Sequence, residues 1–520
     1  MEAITEIAVV TVPAYSHQAS ILEFCKRLVL LQNHGHHFHV TCFIPTLGSP
    51  PSASISLVRS LPSSSITCTF LPPVNLHDQP KDLPMEVQLH LAITRSMPLV
   101  HDALKSLVGR SSSGLAAMVA EPLSIEALEI AKELNITSYL YFPCSAMLLS
   151  LCFYSAKLNQ KVSCGDQFRD LPEPIQIPGC VPVSGKDLPD NHQDRSSLAY
   201  EQFLQRCQLY HLAQGILLNS FEEMEAGAIR AWQEHEKPRN GETRRYPSVH
   251  AIGPIIRTGS SIQINGSGQE HWDDCLRWLD KQPPSSVLFV SFGSGGRLSQ
   301  AQINELALGL ELSNQRFLWV NVRSPSDTAS ASYLRDNNNK NEQEDPLHFL
   351  PSGFLERTKE RGLVMACWAP QVEVLGHSST GAFLSHCGWN SILESIVEGV
   401  PIIAWPLFAE QRTNAAMLAD GLKVATRPRV SDHGEIVEKE EICRVIRCIM
   451  EGEEEEGKEI RRRMKELKGS RCRREQRASN CLSRARKDTV LKNYSGTPGR
   501  RIGSSSGLNK HFLRQSKGTE

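Results

Sequence analysis

Between Trp368 and Gln411 the chain gathers an indole, an imidazole, short polar side chains and carboxylates at the ends of alternating apolar and helical runs. These 44 residues read WAPQVEVLGHSSTGAFLSHCGWNSILESIVEGVPIIAWPLFAEQ, with an apolar GAFLS, a turn HCGWNS, a helical ILESIVEG and a second apolar VPIIAWP. A turn leading from a strand into a helix presents the first helical N–H groups at the strand's C-terminal end, where an anion is the natural guest. His386, Asn390 and Ser391 add polar donors, Gly388 lets the backbone come close to a ligand, and no Lys or Arg lies in the turn. A diphosphate can be held there by N–H groups, hydroxyl and imidazole. Glu394, on the first turns of the helix, suits a ribose diol, because an ionised carboxylate accepts from two hydroxyls at once. Trp368 offers a flat ring for stacking on a base, and Glu410 and Gln411 can take neighbouring hydroxyls of a sugar.

Along its whole length this stretch resembles the signature of plant secondary-product glycosyltransferases, which use UDP-sugars. The resemblance implies a GT-B fold, α/β, with two Rossmann-like doubly wound domains facing a cleft. It also implies UDP-glucose as donor substrate, no other cofactor, and Ala369, Gln371 and Trp389 as further members of the donor site. The segments FLPPVNL, LPEPIQIPGCVPVSGKDLPD and GILLNSFEEMEAGAI are most similar to the hydroquinone and monolignol glucosyltransferase branch, which implies a small phenolic acceptor. Gln411 leans toward glucose in that family.

A second site of chemistry lies near the N-terminus. Ile4 to Pro13 fits a buried parallel strand, and SILEFCKRLVLL places Ile21, Cys25, Leu28 and Leu31 at helical spacing. His17 therefore falls between a strand end and a helix start, a ligand-facing position in a doubly wound sheet. An imidazole with the ordinary pKa of about 6.5 can accept a proton near neutral pH. By resemblance His17 is the general base for the acceptor hydroxyl, with Ser16 where the family usually has Gly. The buried run LAAMVAE ends in Glu121, where the family generally has an Asp bonded to the catalytic His. Glu keeps the charge and adds a methylene, so it is expected to reach His17 at a shifted angle; a carboxylate that meets only solvent is the alternative. Tyr139, Phe142, Met147 and Phe153 can wall an acceptor pocket or simply form core.

The elements that must position these groups alternate strand and helix through both halves of the chain. CLRWLDKQPPSSVLFVSFGSGG restarts a strand, and its Gly293 and Ser294 form a Gly-Ser turn expected to approach the sugar diphosphate. A GxGxxG dinucleotide fingerprint would need glycine where Leu298 stands, which disfavours a nicotinamide oxidoreductase. The expected organisation is an acceptor domain over residues 1–253, a linker over 254–272, a UDP-sugar domain over 273–468 and an atypical tail over 469–520. The Pro- and Ser-rich LGSPPSASISLVRSLPSSS and the polar SPSDTASASYLRDNNNKNEQEDP read as loops.

Composition narrows the function classes. A length of 520 residues favours two or more domains, and 40% hydrophobic with 22% charged residues fits a soluble globular chain. No run of about 18 apolar residues marks a membrane span, and the acidic start MEAITEIAVVTVP lacks a basic n-region, so a cytoplasmic monomer is expected. The 15 cysteines are scattered without a CxxC pair and read as reduced thiols. His34, His36, His37 and His39 bridge a helix end and a strand without a carboxylate or cysteine at ligand spacing; they read as a solvated strand entrance, and no metal is expected.

From Gly469 the character changes. The last 52 residues hold thirteen Lys or Arg against three acids, while the preceding 468 hold 43 against 54, although the whole chain nets −1. The family's closing amphipathic helix is replaced by CRREQRASNCLSRARKDTVLKNYSGTPGRRIGSSSG, which is expected to be disordered and to stem from a shifted frame or a mis-spliced exon. With no aromatic interleaving, nucleic-acid binding is not expected. The expected reaction is inverting, metal-independent transfer of glucose from UDP-glucose to a phenolic hydroxyl. The competing reading is a UDP-sugar-binding protein crippled by Glu121 and the altered terminus.

Overall fold

The computed structural model describes residues 4–30, 37–80, 83–110, 115–163, 165–235, 246–257, 267–330, 345–430 and 436–469. Its frame is two all-parallel sheets. The first contains β1 (Ile4–Val10), β2 (His37–Ile44), β3 (Ile66–Phe70), β4 (Leu115–Ala120), β5 (Ser138–Phe142), β6 (Gly215–Leu218) and β7 (Ser248–Ala251), in spatial order 3-2-1-4-5-6-7. The second contains β8 (Val287–Ser291), β9 (Arg316–Trp319), β10 (Gly362–Val364), β11 (Thr380–Ser385), β12 (Ile402–Ala404) and β13 (Ala425–Thr426), in order 10-9-8-11-12-13.

These strands are near-continuous apolar runs because both faces of each sheet are covered. Alternation sorts them. Ala8, Val10, Met118, Ala120, Leu140 and Phe142 join the core on one face of the first sheet, while Ile7, Val9, Ala117, Val119, Tyr139 and Tyr141 join that on the other. In the second sheet Leu288, Val290, Ala382 and Leu384 part in the same way from Val287, Phe289 and Phe383.

Each sheet reverses direction once, between β1 and β4 and between β8 and β11. A crevice opens beyond the strand ends at such a switch point. Register decides which residues meet there. Val10 pairs with Ala120, so Thr11 and Glu121 emerge side by side; Ser291 pairs with Ser385, so the Gly293 turn emerges beside His386.

The two halves pack closely. One core cluster runs from Ala8 and Phe142 of the first half to Trp389, Ile392 and Met464 of the second. Trp389 Nε1 donates to the Asn219 carbonyl at 2.7 Å, and Asn390 Nδ2 donates to the Ser16 carbonyl at 3.0 Å. Arg427 grips Asp187 at 2.6 and 3.0 Å, Arg412 pairs with Asp190, and the Ala409 amide donates to Asp190 Oδ2 at 2.7 Å.

Several expectations change. The Pro- and Ser-rich segment read as loop holds a helix, Ser52–Arg59, which begins after Pro51 and turns Ser54 and Leu57 inward, so two buried positions at helical spacing outweigh the loop composition. The expected linker 254–272 ends inside a helix, Ser267–Leu279, whose Cys275 and Leu279 are buried against the second sheet. The turn HCGWNS is shorter than its composition suggests, since the helix already starts at Trp389. His39 binds Glu6 at 3.0 Å and Thr67 at 3.1 Å at the start of β2, while His34 and His36 lie outside the described residues. The expectations for residues 331–344 and for the tail from 470 onward also fall outside them.

Candidate active site

A single cavity of about 330 Å³ lies between the two sheets, beyond both switch points, and His17, Gly293, Ser294, Trp368, Gln371, His386, Gly388, Trp389, Asn390, Ser391, Glu394, Glu410 and Gln411 all line it. Residues predicted from four separate stretches are thus brought to one place. Glu121 stands just behind the wall, fully buried.

His17 heads the helix Tyr15–Leu30, and its Nδ1 lies 2.7 Å from Glu121 Oε2. The other carboxylate oxygen, Oε1, accepts from Thr11 Oγ1 at 2.5 Å, and the Glu121 amide donates to Ser124 Oγ at 3.0 Å. Both oxygens are therefore fixed, and the extra methylene of Glu does not prevent contact. This arrangement leaves Nε2 of His17 as the ring nitrogen without Glu121. Burial pulls the His17 pKa down, but the charge and hydrogen bond of Glu121, with the charge of Glu410, outweigh it and leave the pKa above the usual 6.5. Thr11 was not foreseen, because a lone threonine after a strand carries no sequence signal.

On the facing side, His386 follows β11 in a tight turn where Cys387 adopts left-handed backbone, φ 64°. The glycines around it have a task beyond the one expected. A Cβ at Gly293 or at Gly388 would meet His386 Nε2 at 2.5 Å, so both make room for the imidazole rather than only for a ligand. Gly293 also needs its positive φ of 71°, which side chains disfavour. Burial lowers the His386 pKa to about 4, so the ring is neutral near pH 7, and among the described residues its buried Nδ1 has no hydrogen-bond partner. Gly388 caps the helix Trp389–Glu398, whose first N–H groups open on the cavity.

Glu394 is 8% exposed, and burial lifts its pKa to about 7 against the opposing effects of Gln371 and Arg257. Gln371 Nε2 donates to Glu394 Oε2 at 2.7 Å and to Ser391 Oγ at 2.9 Å, which ties the two stretches of this side of the cavity together. Gln411 heads another helix, and its Oε1 accepts from the amides of Leu407 and Phe408 at 2.8 and 3.0 Å, which directs its amide nitrogen elsewhere. Trp389 and Ala369 contribute differently from the others. The Trp389 indole is spent on Asn219, and Ala369, 1% exposed, is packed in the core and is not part of the cavity wall, so each has only backbone to offer. Arg257, which the sequence placed at the start of a linker, lines the cavity and donates to Tyr15 Oη at 3.1 Å.

Of the four aromatic and apolar pocket candidates, Phe142 lines the cavity. Tyr139 and Met147 are core, and Phe153 packs against Trp232 with ring centroids 4.6 Å apart and the rings tilted by 58°.

Two doubly wound sheets with a histidine–carboxylate pair on one side of the crevice and an anion-ready helix start on the other define a GT-B sugar-nucleotide transferase. Residues 274–427 match the family described as UDP-glucoronosyl and UDP-glucosyl transferase. The chain is 48% identical over 474 residues to a hydroquinone glucosyltransferase of Rauvolfia serpentina, which covers 91% of this chain and 94% of that one. It is 46% identical over 469 residues to UDP-glycosyltransferase 72B1 of Arabidopsis thaliana, covering 90% and 92% respectively. Among solved structures, Phytolacca americana UGT2 complexed with UDP-2fluoro-glucose and pterostilbene matches with TM-score 0.77 and 43% identity over 90% of this chain and 94% of that one. A Polygonum tinctorium UDP-glucosyltransferase capable of glucosylating indoxyl matches with TM-score 0.80 and 42% identity over 96% and 100%. The chain belongs to the plant UDP-glycosyltransferase family, near the hydroquinone glucosyltransferase branch, and is a UDP-glucosyltransferase.

Proposed function

We propose that the protein transfers glucose from UDP-glucose to a hydroxyl of a small phenolic acceptor, with inversion at the anomeric carbon and without a metal ion. The observation that carries this reading is His17, which lines the same cavity as the residues expected to hold the donor and is backed at 2.7 Å by the buried Glu121. Glu121, held by Thr11, keeps a proton on Nδ1, so Nε2 is free to take the proton of the acceptor hydroxyl. The oxygen then attacks the anomeric carbon from the face opposite the diphosphate. The transition state is oxocarbenium-like, as in glycoside hydrolysis. His386, Ser391 and the N–H groups of the helix after Gly388 stabilise the leaving UDP, and Glu394 and Trp368 hold ribose and base. Glu410 and Gln411 take sugar hydroxyls.

The phenolic acceptor follows from the resemblance to the hydroquinone branch together with an apolar wall of Leu89, Leu123, Phe142, Leu148 and Phe203. No helix among the described residues is long and apolar enough to cross a membrane. A cytoplasmic monomer fits this reading, with an acceptor domain over 1–253 and a donor domain that begins with the helix Ser267–Leu279. Incubation with UDP-glucose and a panel of small phenols, read by mass spectrometry, tests it: a gain of one hexose is expected and should survive EDTA. UDP binding without any hexose transfer would favour the non-catalytic alternative.

A further inference from the structure

At the acceptor end of the cavity the apolar wall is interrupted by Arg206. It sits on the helix Leu198–Leu209, is only 7% exposed, and lines the cavity beside Phe203 and Tyr210. A buried guanidinium normally has a carboxylate to pair with. Here the partner is a histidine: Arg206 Nη1 lies 3.1 Å from His90 Nδ1. Burial and the charge of Arg206 lower the His90 pKa to about 4, so the imidazole is neutral and accepts this bond. Glu86, one turn before His90 on the helix Met85–Arg110, also lines the cavity. Glu126 Oε1 lies 3.5 Å from His90 Nδ1, and among the described residues its buried Oε2 has no hydrogen-bond partner. The charge of Arg206 is felt by both carboxylates, although neither forms an ion pair with it among the described residues.

We propose that Arg206 is a specificity-determining residue, and that with Glu86 it forms a second polar subsite for an oxygen function on the acceptor remote from the hydroxyl being glucosylated. This rests on the reading of the cavity as a phenol-glucosylating site. A guanidinium with N–H groups to spare seeks an oxygen that can accept, and the neighbouring Glu86 carboxylate can accept a hydrogen bond from a hydroxyl. Two carboxylates, Glu86 and Glu126, already lie within the field of the guanidinium, so a neutral hydroxyl suits the site better than a further carboxylate. The substrate class is then a phenol with a second, neutral hydroxyl, as opposed to a simple alkylphenol.

The test uses matched pairs that differ by one oxygen: hydroquinone against 4-methylphenol, and 4-(hydroxymethyl)phenol against 4-ethylphenol, with 4-hydroxybenzoate as the anionic arm. For the full-length protein, kcat/KM should favour the oxygenated member of at least one pair by about tenfold or more, the scale of a hydrogen bond to a charged group. Arg206→Met should bring that ratio close to one and leave KM for UDP-glucose unchanged, and Arg206→Lys should recover part of the preference. An unchanged ratio in Arg206→Met, no preference in the native protein, or 4-hydroxybenzoate as the best acceptor would each overturn the proposal. Calorimetric binding of the same pairs to the UDP-loaded protein reads the subsite without turnover. A failure of transfer chemistry with the binding preference intact would therefore count against the phenol-glucosylating reading and not against Arg206.

Discussion

His17 shows how a single position gathers chemistry from several parts of the chain. Its imidazole must be neutral to accept a proton, and its pKa is raised above 6.5 by Glu121 and Glu410 despite burial. Activity should therefore fall as pH drops through a value above 6.5, measured as the acid limb of kcat/KM. Replacing Glu121 by Gln removes the largest raising influences, so the limb should move to lower pH while the plateau falls toward the roughly 10⁴-fold loss seen when a triad acid becomes an amide. Stability runs the other way. A folded pKa above the unfolded one stabilises fully below pH 6.5 and fades as pH rises through the folded value. Glu121→Gln should accordingly lower the melting temperature, relative to the native protein, more at pH 6 than at pH 9. Glu394 makes a separate prediction: with a pKa near 7 before the donor binds, its carboxylate is half protonated there, so UDP-glucose affinity should weaken as pH falls below 7 and Glu394→Gln should flatten that dependence. Glu394 and Glu410 were legible because the 44-residue run has an unusual spacing, and His17 and Glu121 because each follows a buried strand run at a position the family resemblance marks. Thr11, Arg206 and Arg257 were not, since each is a lone polar residue whose importance arises only when distant segments meet.

At the scale of elements, strand ends and helix starts were readable because parallel strands buried on both faces are nearly continuous apolar runs. What the sequence did not disclose was register. Only the pairing of Val10 with Ala120 and of Ser291 with Ser385 explains why Glu121 meets His17 and why two glycines crowd His386. The helix Ser52–Arg59 was missed for a related reason, because its two inward residues are too few to overcome a Ser- and Pro-rich composition. The turn around His386 makes an element-scale prediction. Gly388→Ala would push a methyl against Nε2, and Gly293→Ala would do so from left-handed backbone, where side chains are strained. Both should displace the imidazole and weaken UDP binding in calorimetry, with the greater loss of thermal stability for Gly293→Ala.

The whole molecule depends on its two halves being held at one spacing across the cavity. Trp389 is the buried bond of that joint. Trp389→Phe keeps the ring packing and leaves the Asn219 carbonyl unpaired, which should cost about 1–3 kcal/mol in a denaturant titration. Asp187 and Asp190 clamp the first half to the second from the other side, through Thr413, Arg427 and the Ala409 amide. On the proposed function, one cavity holds both the UDP-sugar and the base that uses it. The most direct measurement compares the native protein with His17→Ala for hexose transfer to hydroquinone and for UDP binding by calorimetry. Transfer should fall by about 10²-fold or more, the scale of a general base, while the UDP dissociation constant stays within about threefold. Transfer that survives in His17→Ala at the native rate would rule out His17 as the base.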